Sequence, residues 1–135
     1  MKIKKMLDYL FIPFAIVLVF NLFFKSYAAA DPQKAYDELT TGKAIFLDVR
    51  EKDEVEQGMI KGALWFPLSD LSSNKADTIK KIKETSAGKF IYVYCRSGRR
   101  ADKYISEISA EGLTATNLGG FEDLVKAKLP TQPKP

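Results

Sequence analysis

Past Ala30, apolar and polar positions fall into short blocks, and changes of period mark the elements. Asp31-Pro32 places an N-cap before a proline at the first helical position, which predicts a helix through Leu39 closed by Thr41-Gly42. Ala44 to Asp48 is a brief apolar run and reads as a buried strand. Glu51 to Gln57 is polar and helix-favouring, with Gly58 as a left-handed stop. Leu64 to Phe66 reads as a strand ended by Pro67, and Asp77 to Glu84 carries Ile79 and Ile82 at helical spacing. Phe90 to Tyr94 is continuously apolar, β-branched and aromatic, the pattern of a central parallel strand covered on both faces. Ala101 to Glu111 repeats Ala101, Tyr104, Ile105, Ile108 and Ser109 as a helical stripe stopped by Gly112. Thr114 to Leu118 is a further strand, Phe121 to Lys128 a last short helix, and the tail from Pro130 is expected to be disordered. Strands alternating with helices predict one α/β domain with a mainly parallel sheet.

The first thirty residues follow another rule. Lysines at 2, 4 and 5 precede a mostly apolar run from Tyr9 to Phe24, and Ser26-Tyr27-Ala28 and Ala28-Ala29-Ala30 both offer the small residues that signal peptidase accepts. This predicts an exported, periplasmic domain released by cleavage after Ala28 or Ala30. The alternative is an uncleaved anchor over residues 7–24 in the inner membrane, with the domain outside the cytoplasm and the membrane touched only by this segment. At ~1.5 Å per residue Tyr9–Phe24 reaches about 24 Å, short of a ~30 Å hydrocarbon core, so the anchor needs Met6 and Leu7 as well.

Composition narrows the chemistry. The 135 residues fit one domain plus a terminal extension. Of the formal charge of +4, the N-terminal lysines and Lys25 against Asp8 supply +3, leaving 17 basic against 16 acidic residues from Asp31 onward. A nearly neutral domain gives no support for a nucleic-acid partner, which needs Lys and Arg massed on one face. Histidine is absent and Cys95 is the single cysteine, so the His/Cys sets of metal and haem sites are missing and neither metal nor cofactor is expected. A lone cysteine closes no intramolecular disulfide, which leaves Cys95 as core filler or as a working thiol.

Its surroundings favour the second. Cys95-Arg96-Ser97-Gly98-Arg99-Arg100 lies between the most strand-like segment and the clearest helix of the domain. In an open α/β sheet ligands bind beyond the carboxyl ends of strands, where backbone N–H groups entering a helix form a nest for an anion. Three arginines and a helix N-terminus favour a sulfur anion at Cys95, Gly98 lets the turn close tightly, and Ser97 adds a hydroxyl donor. Chemistry at this position requires a sulfur that solvent can reach.

Three stretches together resemble the rhodanese family, in particular its small single-domain members: Leu47-Asp48-Val49-Arg50-Glu51; Gly58-Met59-Ile60-Lys61-Gly62-Ala63 with Pro67-Leu68 behind it; and Tyr94 through Ala101. Leu118-Gly119-Gly120-Phe121 and Leu129-Pro130 are similar to the family's closing segment, so the likeness runs from Pro32 to Pro130. The resemblance implies a rhodanese-like α/β fold, a twisted, mainly parallel sheet flanked by helices on both sides. It also implies a thiosulfate sulfurtransferase in which Cys95 takes sulfane sulfur from thiosulfate or a similar donor, carries it as a persulfide, and passes it to a thiophilic acceptor such as cyanide or a thiol. The expected partners are thus a small-molecule sulfur donor and acceptor, or a protein thiol. Arg96, Ser97, Gly98, Arg99 and Arg100 become the substrate-binding loop, and Asp48 and Arg50 a charged pair that supports it. Met59, where relatives often have histidine, and the lack of a tryptophan within Phe121–Leu124 are departures outside the loop.

Two other classes share these features. Phosphatases with Cys-x5-Arg place their phosphate clamp six residues after the cysteine, where this chain has Ala101. A non-enzymatic rhodanese-like module, serving as sulfur carrier, redox relay or protein-binding domain, would retain the same loop.

Overall fold

The computed structural model describes residues 30–135. The expected signal or anchor lies, apart from Ala30, outside them. Among the described residues no helix is long and apolar enough to cross a membrane.

The elements are α1 (Pro32–Thr40), β1 (Ala44–Asp48), α2 (Lys52–Val55), β2 (Met59–Ile60), β3 (Leu64–Trp65), α3 (Leu68–Ser73), α4 (Lys75–Ser86), β4 (Phe90–Cys95), α5 (Arg99–Ser109), β5 (Ala115–Gly120), α6 (Phe121–Lys126) and β6 (Thr131–Gln132). Four strands form a parallel sheet in the order β3-β1-β4-β5, and β2 pairs with β6 in a separate antiparallel ribbon. Asp31 caps α1 as its sequence predicts, its carboxylate accepting from the N–H groups of Gln33 and Lys34.

Strand alternation divides the core in two. Ile45 and Leu47 of β1 and Ile91, Val93 and Cys95 of β4 meet Leu71 of α3, Ile79 and Ile82 of α4, and Ala101, Tyr104 and Ile108 of α5. Phe46, Tyr94 and Leu118 face the other way, onto Ala35 of α1, Val55 of α2 and Leu124 of α6. Because the central strands are buried on both faces, they read as unbroken apolar runs. The same alternation puts Cys95 on the α5 side and Tyr94 on the α2/α6 side.

Three local features differ from expectation. Helix α3 has no periodic signature, since Leu71 is its one buried residue. Helix α2 is a single turn, opened by a capping box between Glu51 and Glu54 and kept short because Gly58 and the β2 ribbon follow. The tail, expected to be disordered, contributes β6. The Lys61 N–H donates to the Pro130 carbonyl at 2.8 Å, the Gly62 N–H to Gln132 Oε1 at 3.1 Å, and Lys134 Nζ lies 4.2 Å from the centre of the Trp65 ring. Unpaired backbone groups along β2 capture the tail, a long-range pairing that composition cannot show.

A chain ending at Pro130 should lose about 1–2 kcal/mol of stability, read as a fall of several degrees in Tm by thermal unfolding. An unchanged Tm would mean that the ribbon contributes nothing.

Candidate active site

Cys95 is the last residue of β4, and a three-residue turn, Arg96 to Gly98, leads directly into α5. The turn closes through Gly98, whose φ of 95° is a left-handed conformation that costs glycine almost nothing. This aims the Gly98 N–H back at the cysteine, where it donates to Cys95 Sγ at 3.0 Å, while the Gly98 carbonyl accepts from the Asp102 N–H to start the helix. The sulfur therefore accepts from the backbone N–H of the residue that begins a helix, an arrangement suited to negative charge. Arg96, Ser97 and Arg99 are exposed above it.

One expectation is not met. Chemistry needs an accessible sulfur, yet Cys95 is 0% exposed. Its side chain alternates onto the inner face of β4 among Ala101 and Tyr104, and the turn folds over it. Reaction at this sulfur requires the turn to shift.

Two residues that sequence reasoning gave no role hold the turn down. Gly120, the last residue of β5, has an ordinary φ of −103°, so its requirement is for space: a Cβ built there would overlap the Arg96 carbonyl. Asn117 precedes a register shift in the β4–β5 pairing, which passes from Val93–Asn117 to Tyr94–Gly119. Its side-chain amide donates to the Gly98 carbonyl at 2.9 Å and to Asp102 Oδ1 at 2.7 Å, and its oxygen accepts from the Gly119 N–H at 2.8 Å. Bulges commonly re-aim a side chain beside a functional turn. The Gly119-Gly120 doublet is a visible signal; Asn117 has none, because its reach depends on the bulge.

Asp48 and Arg50 form a fully buried pair at the end of β1, with Arg50 Nη2 at 2.7 Å and Nε at 3.0 Å from the two Asp48 oxygens. Arg50 also donates to the Gly58 carbonyl at 2.7 Å and lies 4.0 Å from the centre of the Phe121 ring. Burial opposes the Arg50 charge, but hydrogen bonding and attraction to Asp48 outweigh it and hold the guanidinium above its ordinary value. The pair's hydrogen bonds reach α2 and Gly58, and none of them reaches the Cys95 turn.

The direct link is Glu54 of α2, whose carboxylate accepts from both terminal nitrogens of Arg100 at 2.5 and 2.7 Å. Those hydrogen bonds hold the Glu54 carboxyl below the usual glutamate range and raise Arg100 in return. Arg100 is thereby committed to α2. A cavity of about 280 Å³ adjoins the turn, lined by Arg50, Asp53, Glu54, Gln57, Arg96, Phe121 and Glu122. A larger groove of about 490 Å³, between α4 and the end of α5, includes none of the residues expected to act.

This fold and site define the class. The chain belongs to the rhodanese family: the model of the rhodanese-like domain matches residues 31–127. The chain is 37% identical over 82 residues to the uncharacterized protein YqhL of Bacillus subtilis, covering 59% of this chain and 60% of that protein. It is 31% identical over 84 residues to the tRNA uridine(34) hydroxylase of Bacillus mycoides, covering 61% of this chain and 25% of that protein. It is 27% identical over 85 residues to the thiosulfate sulfurtransferase PspE of Escherichia coli, covering 62% and 77%. The matched stretch thus spans 60% of the first of these relatives and 25% of the second, less than two thirds of either. In fold it is similar to a rhodanese-related protein from Thermoplasma volcanium, with a TM-score of 0.63, 22% identity, and 78% and 98% of the two chains covered.

Gly120→Ala should force the Arg96 carbonyl away, costing about 1–3 kcal/mol and raising the rate at which native Cys95 is alkylated. Equal Tm and equal alkylation rates in the two proteins would show that this contact does not hold the turn.

Proposed function

We propose that the domain is a sulfurtransferase that moves sulfane sulfur from thiosulfate or a similar donor to a thiophilic acceptor through a Cys95 persulfide. One observation carries the reading: the Gly98 N–H donates to Cys95 Sγ within a turn that enters a helix N-terminus. Donors fixed before charge arrives stabilise a sulfur anion without reorganising at the moment of reaction. The Cys95 thiolate attacks the sulfane sulfur of thiosulfate, the S–S bond of the donor breaks, and sulfite leaves with its electron pair. An acceptor then attacks the outer sulfur, the bond to Sγ breaks, and the pair returns to Cys95. The N–H groups of Arg96 to Arg100 cradle the sulfur, Arg96 and Arg99 are exposed to meet a donor anion, and the turn lifts to admit it. Residues 1–30 take the domain out of the cytoplasm.

A second reading, a sulfur carrier or protein-binding module without turnover, draws on the complete burial of Cys95. It predicts loading without catalysis.

Intact mass spectrometry after thiosulfate treatment should show an added ~32 Da, one sulfur atom, on the wild-type domain and none on Cys95→Ser. Loading followed by thiocyanate production from cyanide supports the enzyme, and loading without turnover supports the carrier. No added sulfur from thiosulfate or polysulfide would contradict both.

A further inference from the structure

The charges around the cavity divide into committed and uncommitted groups. Arg50 is held by Asp48, and Glu54 by Arg100. Asp53, Glu122 and Arg96 also line the cavity and, among the described residues, take part in no ion pair. The uncommitted balance is two negative charges against one positive. Both carboxylates belong to helix first turns, where they favour the helix dipole, but so does Asp123, which does not line the cavity. Position at the mouth therefore sets Asp53 and Glu122 apart. Arg99, although exposed, is not part of the lining either.

The Gly98 N–H thus faces the charge that stays on Cys95, while among the uncommitted groups of the cavity wall negative charge outnumbers positive. We propose that this wall selects a thiol acceptor carrying positive charge beside its sulfur, with Asp53 and Glu122 setting the preference; the inference rests on the sulfurtransferase reading above. The acceptor thiol gives its proton to solvent, its sulfur attacks the outer sulfur of the Cys95 persulfide, and a new S–S bond forms on the acceptor. The old bond breaks with its electron pair left on Sγ. A small aminothiol and a protein cysteine flanked by Lys or Arg present the same chemistry.

The test follows single-turnover loss of the added sulfur from persulfide-loaded protein, with rates expressed per thiolate. Cysteamine is compared with 3-mercaptopropionate, and the tripeptide Lys-Cys-Lys with Glu-Cys-Glu. The cationic member of at least one pair should be faster, and its advantage should shrink roughly tenfold in the Asp53→Asn/Glu122→Gln variant, two exposed carboxylates acting on both a cation and an anion. The same advantage should shrink in the wild-type protein at about 1 M salt, a readout independent of whether the variant folds. A preference confined to cysteamine identifies a small-molecule acceptor, and one that extends to the peptides identifies a protein cysteine. Faster transfer to the anionic members, an advantage unchanged in a folded Asp53→Asn/Glu122→Gln variant, or an advantage unmoved by salt overturns the inference while leaving the sulfurtransferase reading intact. Failure to load any persulfide overturns both.

Discussion

The site depends on a close approach: the turn after β4 lies directly on Gly120, with no room for a side chain between that residue and the Arg96 carbonyl. That contact, with the Asn117 amide bound to the Gly98 carbonyl, fixes the turn so that its Gly98 N–H points at Cys95. The parallel sheet provides the frame. It ends β4 and β5 side by side, Cys95 opposite Gly120, so that the turn leaving one strand must pass over the end of the other.

Charge holds the opposite side of the turn in series. Asp48 neutralises Arg50 in the core, Arg50 grips the Gly58 carbonyl next to β2, and Glu54 of the intervening helix binds Arg100 at the start of α5. Removing Asp48 would leave a buried guanidinium uncompensated, the costly way to break such a pair. The Glu54–Arg100 pair is partly exposed and contributes less to stability. Its effect is on placement, since it draws one of the three loop arginines away from any incoming anion.

The central strands and Cys95 loop are legible because both are local: an apolar run buried on two faces, then cysteine, glycine and arginines before a helix. The family resemblance adds the Asp48–Arg50 pair and the closing Gly119-Gly120. What is not legible depends on contacts distant in the chain. Asn117 acquires its role only through a register shift, β6 exists only because β2 offers it an edge, and the engagement of Arg100 follows from where α2 comes to rest. Burial of Cys95 belongs to the same group. The strand pattern gives its face, but only the folded turn closes over it.

The claim on which the rest stands is that backbone N–H groups of the turn hold the sulfur charge. Amide proton and nitrogen shifts, compared between the free thiol and the persulfide-loaded domain, test it directly. The account predicts changes concentrated at Arg96 to Arg100 and largest at Gly98. Shifts of Gly98 no greater than those of residues remote from Cys95, in a domain shown to carry the extra sulfur, would contradict it.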